Sequence, residues 1–370
     1  MAERSEKSDH VAPLSQEGYQ LLREGRFDEA IERFERVLEI DSDNSYALVG
    51  LGDIARKQSR RADAVDLYTR CLEHDPENAF ALFGLADSYR SLRKYHDALR
   101  VWERYLAHDD RNVTVLTRVA DAYRKVREKR RSQELYQKVL EIEADNPYAL
   151  IGLGHLHYDF REYEEALSYW TRMYELAGAG VDIRVLTSIG NSYRKLKDFA
   201  KGIPYFERAL EKEPGNFYAL FGLADCYRGL NEPERSIDYW NRILANDPDN
   251  KVILTRAGDA HRSMDELDEA EACYRRALQI DSDTYASLGL AIIARQRGAY
   301  QEAIELLERL REHERDNHRV YVEIAATHAQ EGDFDEAVRV LEAFDSQGRG
   351  NAHVQDLIDR YRRQADRNRS

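Results

Sequence analysis

The sequence predicts an all-α chain of short helical hairpins in tandem, an α-solenoid. Three observations carry this. A small residue in a recurring acidic–small–aliphatic phrase returns at Ala30, Ala64, Ala98, Ser132, Ala166, Gly202, Ser236, Ala270, Ala303 and Ala337; the spacing is 34, with one of 36 and one of 33. Such a period marks a repeat architecture. Each unit carries two apolar stripes at helical spacing. The 370 residues are 42% hydrophobic and 34% charged, with net charge −14 and mean hydropathy −0.71. An average domain is roughly 45–50% apolar and about 25% charged, so one deep core is not expected. Disorder is the other reading of such a composition, but 7 Pro and 20 Gly against 23 Tyr and 3 Trp argue for packing.

Numbering each unit 1 to 34 from Val11 gives ten units over 11–351. Positions 4, 7, 8 and 11 share one face of a first helix, A, and positions 20, 24, 27 and 28 one face of a second, B. Position 8 is small throughout, from Gly18 to Ala325. Position 24 is large: Phe34, Tyr68, Trp102, Tyr136, Trp170, Phe206, Trp240, Tyr274, Leu307 and Leu341. Acids such as Asp28-Glu29 and Glu164-Glu165 open helix B, where the dipole favours them. One unit cannot bury both stripes, so neighbours must stack. Position 6 is Gly at 50, 84, 152 and 222, which costs about 1 kcal/mol against Ala. Three of these units carry Trp at 24, which favours close helix packing over a partner's close approach. Residues 1–10 read as a disordered tail. After the tenth unit, Val354, Leu357, Ile358 and Tyr361 predict a capping helix within 352–370, ending in a locally basic tail.

A longer period is superposed. AFALFGLADSYR, PYALIGLGHLHY and FYALFGLADCYR match one another, as do VTVLTRVADAYRK, IRVLTSIGNSYRK and KVILTRAGDAHRS. The central six units are three copies of a two-unit module. The spacing of 36 places an insert at Ala177-Gly178-Ala179-Gly180, with Gly202 and Pro204 downstream. Together they mark a joint near 177–183, either a hinge or a harmless loop insertion.

The residue types and the period resemble the tetratricopeptide repeat family over more than nine-tenths of the chain. The resemblance implies a right-handed superhelix of helix-turn-helix units. It also implies a concave groove, lined by positions 2, 5, 9, 12 and 13 of helix A, that takes an extended segment or helix of a partner protein. Here position 2 supplies Tyr46, Phe80, Tyr148 and Tyr218, and position 5 supplies Phe83, Ile151 and Phe221 among threonines. Position 9 reads Asp53, Asp87, Asp121, His155, Asn191, Asp225, Asp259; position 12 reads Arg56, Arg90, Arg124, Tyr158, Arg194, Arg228, Arg262. Guanidiniums can clasp a partner's carboxylates or carbonyls, and exposed aromatics can anchor it. The same Asp and Arg are i, i+3 neighbours and can simply pair with each other. Unit 5 departs from both ladders through His155 and Tyr158, either as a specificity point or by drift. The family's chaperone-tail clamps carry Lys or Arg at position 5, which is apolar or Thr here. The related repeat region of O-linked N-acetylglucosamine transferases has an Asn ladder, whereas this one is mostly Asp.

The function expected is a non-enzymatic scaffold or adaptor that binds a protein or peptide. The alternatives are a targeting subunit of a separately encoded enzyme and a self-assembling solenoid. No nucleophile elbow, phosphate-binding glycine loop or metal-ligand motif is present, so neither cofactor nor metal is expected. Cys71, Cys226 and Cys273 are isolated and without a CxxC. A pI near 5.4 argues against nucleic acid. No stretch approaches the ~18 apolar residues of a membrane span, and the N-terminus lacks a secretory apolar core. A cytoplasmic monomer is expected.

Overall fold

Helices begin where asparagine appears. In the computed structural model, the Asn44, Asn78, Asn112, Asn146, Asn216 and Asn250 side chains accept the backbone N–H three residues on, at 3.0–3.2 Å, and so start most A helices. B helices start differently. Ser59, Arg93, Arg127, Arg161, Lys197, Asn231 and Asp265 take φ of 59–66°, the left-handed conformation that closes helix A. The backbone is described for residues 2–369, and side chains for 11–369 except Ala179.

The chain divides into two compact units, Met1–Val181 and Asp182–Ser370. The first holds α1 (Ala2–Glu24), α2 (Phe27–Ile40), α3 (Ser45–Lys57), α4 (Arg61–His74), α5 (Ala79–Ser91), α6 (Tyr95–Leu106), α7 (Val113–Lys125), α8 (Lys129–Ile142), α9 (Pro147–Asp159) and α10 (Tyr163–Ala177), then a 3₁₀ turn, Gly178–Gly180. The second holds α11 (Ile183–Lys195), α12 (Phe199–Lys212), α13 (Phe217–Gly229), α14 (Pro233–Asn246), α15 (Lys251–Ser263), α16 (Leu267–Ile280), α17 (Thr284–Gln296), α18 (Tyr300–His313), α19 (His318–Glu331), α20 (Phe334–Phe344) and α21 (Ala352–Arg369). Odd-numbered helices through α19 are A helices and even-numbered ones B helices. Within each unit a helix packs on its hairpin partner and on the next hairpin. This is the all-α solenoid the period predicts.

The backbone of residues 2–10 continues α1, since no Gly or Pro stands there to stop a helix. The side chains of 1–10 lie outside the described residues. At the other end α21 buries Val354, Ile358 and Tyr361 beside Val340, Leu341 and Phe344 of α20.

Position 24 supplies the keystone of each hairpin, and its ring is fully buried at every aromatic unit. The glycines explain how. A Cβ on Gly52 or on Gly84 would fall within 2.7 Å of the Tyr68 ring. Gly18 and Gly50 flank Phe34, Gly190 and Gly222 flank Phe206, and Gly258 and Gly289 flank Tyr274 in the same way. Each ring is thus wedged between its own A helix, at position 8, and the next, at position 6. Position 6 thus serves the close helix packing expected of it. The ring it admits is the preceding unit's Phe or Tyr, because stacking sets a B helix between two A helices.

Position 20 lies against the backbone carbonyl of position 8. Ser132 and Ser236 donate to the Ala120 and Ala224 oxygens at 2.8 Å, and at Gly202 a Cβ would sit 3.0 Å from the Gly190 oxygen. The basic residue at position 26 ties units together: Arg104, Arg172 and Arg242 donate to Pro76, Ala144 and Pro214 carbonyls of the preceding loop.

Candidate partner-binding face

The A helices present positions 2, 5, 9 and 12 on the face away from the B helices, and the predicted residues separate there by exposure. Tyr46, Phe80, Tyr148 and Tyr218 are 70%, 78%, 74% and 68% exposed, and Tyr285 at the same position is 58% exposed. Apart from Phe217, at 43%, the other described aromatics are buried or half-buried, so rings left this open stand out. Phe83, Ile151 and Phe221 are half-buried beneath them. The threonines among them, Thr117, Thr187 and Thr255, hydrogen-bond to their own helix carbonyls at 3.0–3.1 Å.

The polar ladders are paired with each other. Asp53 pairs with Arg56 at 3.1 Å, Asp121 with Arg124 at 2.6 Å, and Asp259 with Arg262 at 3.8 Å. Arg194 donates to Asn191 at 3.2 Å. Pairing also crosses from one unit to the next. Arg56 reaches Asp87 at 3.1 Å, and Arg194 reaches Asp225 at 2.6 Å. Asp87 and Asp225 are buried and each is ringed by three arginines. Asp87 meets Arg56, Arg90 (2.9 Å) and Arg118. Asp225 meets Arg194, Arg228 (2.7 Å) and Arg256 (3.5 Å). Burial alone would raise these carboxyls. At Asp87 the Arg118 and Arg90 charges, and at Asp225 the bonds from Arg228 and Arg194, prevail and hold both below the ordinary carboxylate range.

Some tyrosines of position 24 thread through to the same face. Tyr68 and Tyr274 donate from their hydroxyls to Asp53 and Asp259 at 2.7 Å. Burial first, and the neighbouring carboxylate second, raises both phenols.

Unit 5 replaces the ion pair by an aromatic cluster. His155 and Tyr158 lie 5.5 and 5.7 Å from the Trp170 ring, and Tyr158 lies 5.2 Å from Tyr163. The ladder acid is displaced to Asp159, which takes Arg124 at 2.5 Å. Burial, then the Arg124 charge, lowers the His155 imidazole.

Sequence reasoning missed Arg118 and Arg256. Both occupy position 6, which is Gly in most of the neighbouring units, and both stand over a position-5 ring: Arg118 is 4.9 Å from Phe83 and Arg256 5.3 Å from Phe221. Their recurrence in the matching phrases VTVLTRVAD and KVILTRAGD was the signal available.

Among the described residues no cluster of three His, Cys, Asp or Glu is arranged to hold a metal. No described helix is long and apolar enough to cross a membrane. All three cysteines are free, and burial pushes the Cys226 thiol up to about 12, away from thiolate chemistry.

Two family models match, both described as Tetratricopeptide repeat. One covers 16–79, 51–112, 117–180, 187–251 and 255–318, and the other covers 294–361. No curated protein sequence matches the chain. Among solved structures, a tetratricopeptide repeat protein from Parabacteroides merdae ATCC 43184 is 17% identical over 68% of this chain and 99% of its own, with a TM-score of 0.53. YrrB, titled a TPR protein with an unusual peptide-binding site, is 19% identical over 50% of this chain and 95% of its own, at 0.45. Yeast Tom70 is 16% identical over 98% and 97%, at 0.43. At these identities the likeness concerns the fold.

Proposed function

The chain belongs to the tetratricopeptide repeat family, whose members bind protein partners, and on that premise we propose that it is a non-enzymatic scaffold. It holds an extended segment or helix of a partner against the A-helix face. The observation that carries this is the open aromatic rings at position 2, Tyr46, Phe80 and Tyr148 in the first compact unit and Tyr218 in the second. Solvating such rings gains the fold nothing, and burying one against a partner removes about 150–250 Å² from water. The Asp and Arg ladders serve mainly as framework beneath the rings, because their charges are already matched within the chain. This shifts the candidate anchors from the arginines to Tyr46, Phe80, Tyr148 and Tyr218.

The test is affinity capture from cell extract with the wild-type chain and with a variant carrying Tyr46→Ser, Phe80→Ser, Tyr148→Ser and Tyr218→Ser. Exposed substitutions of this kind leave stability within about 0.5 kcal/mol each. A partner held by wild type and lost by the variant supports the reading. Capture unchanged by the four substitutions overturns it.

A further inference from the structure

A cavity of about 480 Å³ opens on the A-helix face of the second compact unit. Its apolar floor is Val252, Leu288 and Ile292, with the Tyr285 ring on one side. Its polar wall is four arginines: Arg228, Arg256, Arg262 and Arg319. The acids that share the wall are already engaged. Asp259 accepts the Tyr274 hydroxyl at 2.7 Å, Asp283 caps α17 through the Ala286 N–H at 2.8 Å, and Glu323 lies in ion-pair reach of Arg295 at 2.9 Å, without a hydrogen bond to its Oε2.

The cations are less well matched. Arg319 is exposed, lies 5.7 Å from the Tyr285 ring centre, and has no carboxylate in ion-pair reach among the described residues. Arg256 lies 3.5 Å from Asp225, a carboxylate already held more closely by Arg194 and Arg228. Its Nε is buried without an acceptor. With direct partners included, five guanidiniums (Arg228, Arg256, Arg262, Arg295 and Arg319) meet four carboxylates (Asp225, Asp259, Asp283 and Glu323), and Asp225 is shared further with Arg194. This local surplus of cations stands in a chain of net charge −14. Two changes in the repeat produce it: position 9 turns from Asp259 to Ile292 in the next unit while position 12 keeps Arg295, and position 2 of the last unit supplies Arg319 in place of an aromatic ring.

We infer that this cavity receives an acidic side chain of the partner segment, flanked by an aliphatic or aromatic residue. The carboxylate lies between Arg256 and Arg319, and the apolar neighbour rests on Leu288, Ile292 and the Tyr285 ring. A guanidinium fork bonds a carboxylate through two N–H groups, and the half-buried Arg256 is screened by salt less than an open-surface charge is. The inference rests on the scaffold reading above and specifies the chemistry of what the face holds.

The test is selection of random dodecapeptides displayed on phage against the full chain. Wild type, Arg319→Gln, Arg256→Gln/Arg319→Gln and the fourfold aromatic variant are run in parallel, with helicity checked by circular dichroism. Arg319 pairs with no acid, so its single variant keeps the test sound if the double variant folds poorly. The expected result is a wild-type pool enriched in Asp and Glu next to apolar residues, with that enrichment lost in both arginine variants. A selected peptide should bind the double variant about tenfold more weakly or worse, the loss typical of a charged hydrogen-bond pair. A wild-type pool without acidic enrichment, or the same enrichment from Arg319→Gln and the double variant, overturns the inference. If peptides are selected without acidic preference but lost by the aromatic variant, the inference falls and the scaffold reading stands. If the aromatic variant selects the same pool as wild type, the reading falls as well.

Discussion

Gly84→Ala sets two physical effects of opposite sign against each other. Gly84 lies inside α5, where replacing Gly by Ala gains about 1 kcal/mol of helix propensity. A Cβ there would lie 2.3 Å from Tyr68 Cζ and 2.6 and 2.7 Å from the two Cε atoms. Carbon pairs are at ease near 3.5–4.0 Å, so the overlap exceeds about 1 Å. The ring has nowhere to go. Gly52 closes its other face, where a Cβ would fall 2.7 Å away, and its hydroxyl is tied to Asp53 at 2.7 Å. The α3 and α5 helices must therefore part, an overpacking cost of about 1–3 kcal/mol. The net expectation is a loss of up to about 2 kcal/mol once propensity is credited. Because the site lies between repeats, the loss also weakens their coupling. Urea unfolding followed by circular dichroism reads both, as a lower midpoint and a shallower transition. Tyr68→Leu is the internal check, for it shortens the side chain that the added methyl group would strike. The double variant should lose at least about 1 kcal/mol less than the sum of the single ones. A Gly84→Ala protein more stable than wild type, or additive single variants, would refute the wedge.

Three further outcomes follow from the same geometry. Asp225→Asn leaves Arg194, Arg228 and Arg256 facing one another without a carboxylate, and should lower stability by about 1–3 kcal/mol, moderated by the partial exposure of the arginines; thermal melts at two salt concentrations read it. The carboxyls of Asp87 and Asp225 are depressed in the fold, so the stability they confer is complete above the unfolded carboxylate value of about 3.9 and is lost as pH falls through their lower folded values. His155 is lowered too, so the unfolded chain takes up its proton first. Its contribution to stability begins to fall as pH drops through about 6.5, and His155→Gln should flatten a urea-midpoint profile between that point and pH 5 without changing the later acid limb. Amides at 178–181, where a 3₁₀ turn with Gly178 at φ 55° replaces α-helix, should exchange at least about tenfold faster than those of α9 or α13, while protection equal to those helices would remove the proposed joint.

The period was legible because it is written by burial. Ten hairpins need the same small residue at position 8 and the same large one at position 24, and substitutions there are limited to Gly or Ala and to bulky rings or Leu. The open aromatics were legible for the converse reason: Tyr46 and Phe80 stand on the helix side away from the apolar stripe, so their place on a face followed from 100° per residue alone. What escaped depends on which residue of one unit meets which of the next. Arg56 reaches Asp87, and Arg118 reaches Asp87 from the other side, each across 31 residues. No spacing rule within one helix connects them, so the i, i+3 pairing that was foreseen captures only part of each ring of charges. The glycines at position 6 announced close packing, but not the ring that fills it, for the same reason. Gly84 shares its unit with Trp102, yet the ring it admits is Tyr68 of the unit before. In a solenoid the interface between repeats is the core. A Gly-to-Arg change at position 6, as from Gly84 to Arg118 or Gly222 to Arg256, therefore converts a packing position into a charged one on the exposed face without disturbing the period that made the fold readable.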